Sequence, residues 1–263
     1  MHRARVLTAV FLLPLVVLLI LKGPENLLLA MVTLLASLGF YEYARMTALP
    51  RGLFGLGLFS LWLLASSVFL ENLSWSAGLW IGLFLFALYF LRHFDQASFL
   101  RLWALSLAGV LYVALGFFHL FALTELSKGR LWLLTLMAAV FGTDTGAYYT
   151  GKALGRRKLA PHISPGKTVE GAIGGTLLGT GLGTGLGLYF GLVETKWLLL
   201  VTFLVSVVGQ IGDLLESMIK RACGVKDSGG LLPGHGGILD RVDALIFAAP
   251  LLYWFLVICL KLM

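Results

Sequence analysis

Charge is scarce in this chain. Only 13% of its 263 residues are Asp, Glu, Lys or Arg, about half the share found in a soluble domain. With 59% hydrophobic residues and a mean hydropathy of +0.93, this shortage excludes an ordinary water-soluble globule and implies an integral membrane protein. Cysteine is nearly absent as well. Cys223 lies in a charged loop and Cys259 in the last apolar run, so neither a disulfide pair nor a zinc cluster is evident. Serine- and cysteine-hydrolase arrangements are also missing; Ser217 lies near Lys220, but no nucleophile–base pair stands out. The start, "MHRARVLTAVFLLPLVVLLILKGPEN", is basic and then apolar, like a secretory leader. No small-x-small cleavage site follows, and a second apolar run comes almost at once, so an uncleaved first membrane helix is expected.

What the chain has in abundance is apolar runs. A crossing needs about 20 apolar residues. Nine runs qualify or nearly so, at roughly 6–21, 26–44, 53–70, 78–91, 103–124, 131–150, 170–192, 197–219 and 242–260. The fourth is short, and the first two form a tight hairpin around Gly23-Pro24. In lipid, backbone groups find partners only inside helices or closed barrels. The expected fold is therefore all-α, a polytopic bundle of about nine transmembrane helices. Residues 1–130 form its N-terminal helices, and 131–263 form the region that carries the chemistry.

The distribution of Lys and Arg orients this bundle. With the N-terminus in the cytoplasm, the cytoplasmic segments hold Arg3, Arg5, Arg45, Arg51, Arg92, Arg101, Lys152, Arg156, Arg157, Lys158, Lys167, Lys220, Arg221, Lys226 and Arg241. The other side keeps Lys22, Lys128, Arg130, Lys196 and Lys261. Positive residues favour the inside, so the C-terminus falls on the opposite face. Topology explains most of the net charge of +7, and no nucleic-acid partner is needed. Gly171, Gly175, Gly179, Gly183, Gly187 and Gly191 recur at every fourth position. Such a face lets backbones approach closely, either within the chain or at a dimer seam.

The polar residues fall in three cytoplasmic blocks: "FGTDTGAYYTGK", "GRRKLAPHISPGKTVEG", and "GQIGDLLESMIKR" running on to "ACGVKDSGGLLPGHGGILDRVD". Asp213, Glu216, Ser217 and Lys220 share one helix face, and Asp213 lies within a span. A carboxylate there is costly unless paired, which makes it a functional candidate. The alternative is an ion pair with Lys220 or Arg221 that holds two helices together. Asp144 in the sixth span is open to the same two readings. Asp240 and Asp243 would share a face at the start of the ninth span. Several carboxylates near one another call for a cation, and oxygen ligands suit Mg2+, which takes one or two protein carboxylates and leaves its other positions to water and phosphate. A bridge from Asp213 to Asp240 is the expected arrangement. The glycines of "PGHGG" can bring backbone amides up to an anion. In the basic loop, Ser164, Pro165, Lys167 and Thr168 mark a helix start suited to phosphate. This is not a P-loop, because position 161 is proline and no strand precedes it. His162 and His235 are candidate ligands or bases, or simply loop residues that form hydrogen bonds. Metal and basic residues without a protein nucleophile suit phosphoryl or nucleotidyl transfer, where the substrate is the nucleophile.

The stretch with Ser217, Lys220, Arg221, Lys226, Asp227, Pro233, His235, Gly236, Gly237, Asp240, Arg241 and Asp243 resembles the signature of the phosphatidate cytidylyltransferase (CDP-diacylglycerol synthase) family. The "DTGAYYTGK", "SPGKTVEG" and "GDLLESMIKR" blocks resemble it too, so the likeness covers about 140 to 245. It implies that CTP and phosphatidic acid give CDP-diacylglycerol and pyrophosphate in a bacterial-type inner membrane, with the active site facing the cytoplasm. It also implies a homodimer and an essential Mg2+, with K+ as a candidate second ion. Asp213 and Asp240 would hold the metal centre, with Asp144, Glu216 and Asp243 as further metal candidates and Asp243 also among the catalytic residues. Lys167, Lys220, Arg221, Lys226 and Arg241 would hold phosphates, with Ser164, His235, Gly236 and Gly237 lining the substrate site. The rival readings are a CTP-dependent lipid kinase of the polyprenol type and an ion-coupled transporter.

Overall fold

A computed structural model of the chain describes residues 14–69, 75–230 and 236–261. The chain is helical at 14–22 (α1), turns at Gly23-Pro24, and continues through α2 (Glu25–Met46), α3 (Arg51–Phe69), α4 (Trp75–Arg92), α5 (Phe99–Thr124) and α6 (Gly129–Leu154). A short hairpin, β1 (Lys158–Ala160) and β2 (Ser164–Thr168), leads into α7 (Val169–Tyr189), α8 (Thr195–Ala222) and α9 (Leu239–Trp254). A π-helical turn at Phe255–Cys259 closes the series. Each apolar run from 26 onward corresponds to one of these helices, with ends displaced by about a turn.

Glu25–Met46, Trp75–Arg92, Phe99–Thr124, Thr195–Ala222 and Leu239–Cys259 are each long and apolar enough to cross a membrane, and Arg51–Ser67 is a shorter apolar helix. The chain is an α-helical membrane protein. The helices α6 and α7 fall outside that group for chemical reasons. Asp144 interrupts α6, and α7 is built on glycine, which adds length without hydrophobicity.

The short hairpin leaves the all-α architecture intact but departs from the helix start expected at Ser164–Thr168. Its strands are antiparallel, with Lys158 opposite Thr168 and Ala160 opposite Ser164. Pro161 and Pro165 explain it, because the residue before a proline is pushed into extended backbone. The helix waits for Thr168, whose hydroxyl caps it by accepting the Gly171 N–H at 3.1 Å. Glu170 then folds the basic loop back onto this helix start, accepting the N–H groups of Arg156 and Arg157 at 3.0 and 3.2 Å.

The glycine ladder is consumed inside the chain. The pair α6 and α7 is the most extensive helix contact. A Cβ at Gly175 would lie 2.6 Å from the Thr143 carbonyl oxygen, and one at Gly183 2.8 Å from Thr202 Cγ2 and 2.9 Å from Ala139 Cβ. The ladder therefore seats α7 on α6 and α8 and is not free to form a dimer seam. Gly191 leaves the ladder altogether, turning the chain after α7 with φ +59°. On the other side of the molecule α2, α5 and α9 meet. The ring of Tyr43 lies against Gly109, and Gly39 lets Leu239 approach to 3.1 Å from where a Cβ would be. Phe117 packs beside Gly39 in this space, whereas Phe40 faces α3, its ring against Gly57 and stacked on Phe54.

Candidate active site

The hairpin, the C-terminal end of α6, the start of α7 and the middle of α8 enclose a cleft of about 510 Å³. Asp144, Lys152, Ser164, Lys167, Gln210 and Asp213 supply its polar wall, and Tyr148 and Leu159 part of its apolar one. Extended backbone at β2 puts Lys167 across from α8, where its Nζ lies 2.6 Å from Asp213 Oδ2. The cation that pairs with Asp213 is thus Lys167, from another element, and not Lys220 or Arg221. Gln210, one turn before Asp213, ties α8 to α7 by donating to Thr176 Oγ1 at 2.9 Å.

A second cluster lies where α8 ends and α9 begins. Lys220 pairs with Glu216 one turn back, as the helical spacing predicts. It also donates to Asp240 Oδ1 at 2.6 Å, so that α8 and α9 are joined through one ammonium. The other oxygen, Asp240 Oδ2, accepts the N–H groups of Ser228 at 2.9 Å and Gly237 at 2.8 Å. Gly236 takes φ +80°, and a Cβ there would fall 2.8 Å from the same oxygen. The Ser228 hydroxyl stands 3.0 Å from Asp240 Oδ2 and 3.1 Å from Glu42 Oε2, one proton between two carboxylates. Asp243 accepts the Ala244 N–H at 2.7 Å and lies within reach of the charges of Asp213, Glu216 and Asp144. Arg221 donates to the Ile163 and Val225 carbonyls at 3.2 and 3.0 Å, fastening the β1–β2 connection to the end of α8. Lys226, Arg241 and His162 are exposed. His235 and Pro233 lie outside the described residues.

Asp144, Ser164, Lys167 and Asp213 therefore meet in the cleft, while Glu216, Lys220, Gly236, Gly237 and Asp240 meet in the second cluster. Two residues of the N-terminal helices were missed by sequence reasoning. Glu42 on α2 is 1% exposed and reaches the second cluster. The Tyr112 hydroxyl on α5 is buried without a hydrogen-bond partner among the described residues, within reach of the charges of Asp243, Glu216 and Asp213. Applied to α2, the rule that flagged Asp213 would also have flagged Glu42, a carboxylate in an otherwise apolar span.

Among the described residues, no three His, Cys, Asp or Glu side chains form a ready-made metal cage. The donor set nevertheless fits a hard divalent cation that takes one or two carboxylates and fills its remaining positions with water and phosphate oxygens. Acidic groups outnumber the ammonium groups set among them, and Lys167 and Lys220 already stand where positive charge is required. Burial raises the Cys223 thiol above its usual range, the opposite of the lowering that activates a thiol.

The profile of the cytidylyltransferase family matches residues 3–259. The chain is 41% identical over 165 residues to a phosphatidate cytidylyltransferase of Bacillus subtilis (strain 168), covering 62% of this chain and 59% of that protein. It is 46% identical over 150 residues to proteins of the same name from Staphylococcus haemolyticus (strain JCSC1435) and Staphylococcus aureus (strain COL), covering 57% of each chain. The matches thus span somewhat over half the length of these curated relatives. The family profile, by contrast, spans nearly the whole chain, and on that extent the chain belongs to the cytidylyltransferase family.

Proposed function

We propose that the chain transfers the cytidylyl group of CTP to phosphatidic acid, releasing pyrophosphate and forming CDP-diacylglycerol. The observation that carries this reading is the cleft in which Lys167 bridges to Asp213, with Lys152, Ser164 and Asp144 around them. It combines cations suited to phosphate with acidic groups, and no nucleophile–base pair stands out in it among the described residues, as expected where one substrate attacks the other. A phosphate oxygen of the lipid forms a bond to the α-phosphorus of CTP, and the bond from that phosphorus to the β-phosphate bridging oxygen breaks. The lipid phosphate is already an anion, so no residue has to deprotonate it. Lys167 and Lys152, which line the cleft, would hold phosphate oxygens, and Lys220, Arg221, Lys226 and Arg241 are further candidates for phosphate contacts. Asp213 and Asp240 would hold Mg2+, with Asp144, Glu216 and Asp243 as further candidates, and the ion would supply neutralisation of phosphate charge.

The same reading gives the chain nine crossings, a cytoplasmic N-terminus, a C-terminus on the opposite side and an active site facing the cytoplasm of a bacterial inner membrane, where CTP is found. Its support is the bias of Lys and Arg and the grouping of the polar clusters at one end of α6, α8 and α9. If the protein is a homodimer, as the resemblance implies, the seam lies on faces other than the glycine ladder. The test uses purified protein in detergent with phosphatidic acid, Mg2+ and CTP labelled at the α- or γ-phosphorus. The expected result is α-label in the lipid and γ-label in pyrophosphate. Transfer of γ-label to the lipid would make the protein a lipid kinase, and no transfer of either label would overturn the assignment.

A further inference from the structure

Glu42 lies far from every polar block of the sequence, on a helix that otherwise anchors the chain in lipid. Its carboxylate is nevertheless buried against the glycine-rich connection between α8 and α9. Oε1 accepts the Ile238 N–H at 2.9 Å, and Oε2 accepts the Leu239 N–H at 3.0 Å and faces the Ser228 hydroxyl at 3.1 Å. These amides are the first of α9, where the helix dipole favours an anion. Two glycines of the connection make room for it. A Cβ at Gly229 would fall 2.6 Å from Glu42 Oε1, and one at Gly237 2.5 and 2.6 Å from the two oxygens. At these positions any larger residue would displace the carboxylate.

The residues that Glu42 holds are those that hold Asp240. Ser228 offers its N–H to Asp240 and its hydroxyl to both carboxylates, and Gly237, which donates to Asp240, immediately precedes Ile238. Asp240 in turn fixes Lys220. We infer that Glu42 is a positioning residue for the proposed reaction: it sets the Ser228–Asp240–Lys220 array from across the bundle without touching substrate. This inference rests on the cytidylyltransferase reading above. It gives the N-terminal helices a part in the chemistry that the polar blocks alone do not suggest.

The test compares wild type with Glu42→Gln and Ser228→Ala. Gln keeps the size of Glu but has one acceptor oxygen, and its amide turns N–H donors towards backbone donors. Ser228→Ala removes only the hydroxyl between the two carboxylates. For each protein, kcat, the KM for CTP, the thermal midpoint in detergent and deuterium exchange at Gly237–Leu239 are measured. Glu42→Gln is expected to speed exchange at Gly237–Leu239 and to lower kcat per folded molecule by roughly 10–100-fold, the usual effect of removing a group that orients a site. The KM for CTP should stay within about threefold, because no substrate contact is lost. A purely structural role would lower the midpoint and leave kcat per folded molecule unchanged, and that result overturns the inference. If Glu42→Gln does not fold, Ser228→Ala decides in the same way: a reduced kcat at an unchanged midpoint supports the inference, and a wild-type kcat overturns it. Wild-type protein without activity would sink the reaction itself, whereas active wild type with unimpaired variants would sink only the role of Glu42.

Discussion

Replacing Gly179 by alanine tests the packing of α7 directly. The new Cβ would fall 2.5 Å from the Ala139 carbonyl oxygen and 2.7 Å from Ser206 Oγ, and closer still to Thr143 Oγ1. Ordinary contact starts at 3.4 Å, so α7 has to retreat by most of an ångström from a backbone that its own hydrogen bonds keep rigid. Overpacking of this kind costs about 1–3 kcal/mol. Alanine returns up to about 1 kcal/mol through its better helix propensity. Three clashes at once, one with a backbone carbonyl, put the cost at the upper end of that range, so the net loss should be about 2 kcal/mol, roughly 30-fold in the ratio of folded to unfolded protein. Gly181, on the same helix, has nothing within 4 Å of its Cβ position, so Gly181→Ala should be neutral or slightly stabilising. Unfolding by sodium dodecyl sulfate in mixed micelles, followed by circular dichroism, reads the stability, and light scattering reads the oligomeric state. If Gly179→Ala unfolds like wild type, or if its effect is dissociation of an oligomer at unchanged stability, the ladder is not the internal seam described here.

Two further outcomes follow from the polar clusters. Lys220→Met leaves Glu216, 1% exposed, and Asp240, 10% exposed, without their shared ammonium; uncompensated buried charge costs about 3–5 kcal/mol, so denaturant unfolding should show a severe loss, and assays of the residual folded fraction should show little cytidylyl transfer. Treatment with a chelator should abolish transfer and readdition of Mg2+ should restore it, with the helical circular dichroism unchanged throughout, because the carboxylates already have Lys167 and Lys220 as internal counter-ions.

Much of the fold is visible in hydropathy alone, since lipid permits little besides helices and the apolar runs mark their extents. The i, i+4 spacing of Glu216 and Lys220 likewise announces their pairing. Local rules were less reliable where two of them competed. The sequence around Lys167 offers a cap and a helix, but Pro161 and Pro165 hold the chain extended, and it is this extension that carries Lys167 across to Asp213. The glycine ladder announced close packing without naming the partner, because a face of missing side chains fits equally well against the same chain or another copy. Glu42 was hidden for a different reason. Its partners lie 186–197 positions away, so a carboxylate that stands out in an apolar run still gives no sign of what it pairs with. Only the meeting of α2 with the start of α9 shows what it serves.

That separation also shapes how the protein is made. At a synthesis rate of about 5–20 residues per second, roughly 10–40 s pass between the addition of Glu42 to the growing chain and that of Leu239, its most distant partner. Throughout that interval α2 carries a carboxylate whose eventual donors do not yet exist. The start of α9 is what satisfies it, so α2 reaches its final state only once α9 is in place.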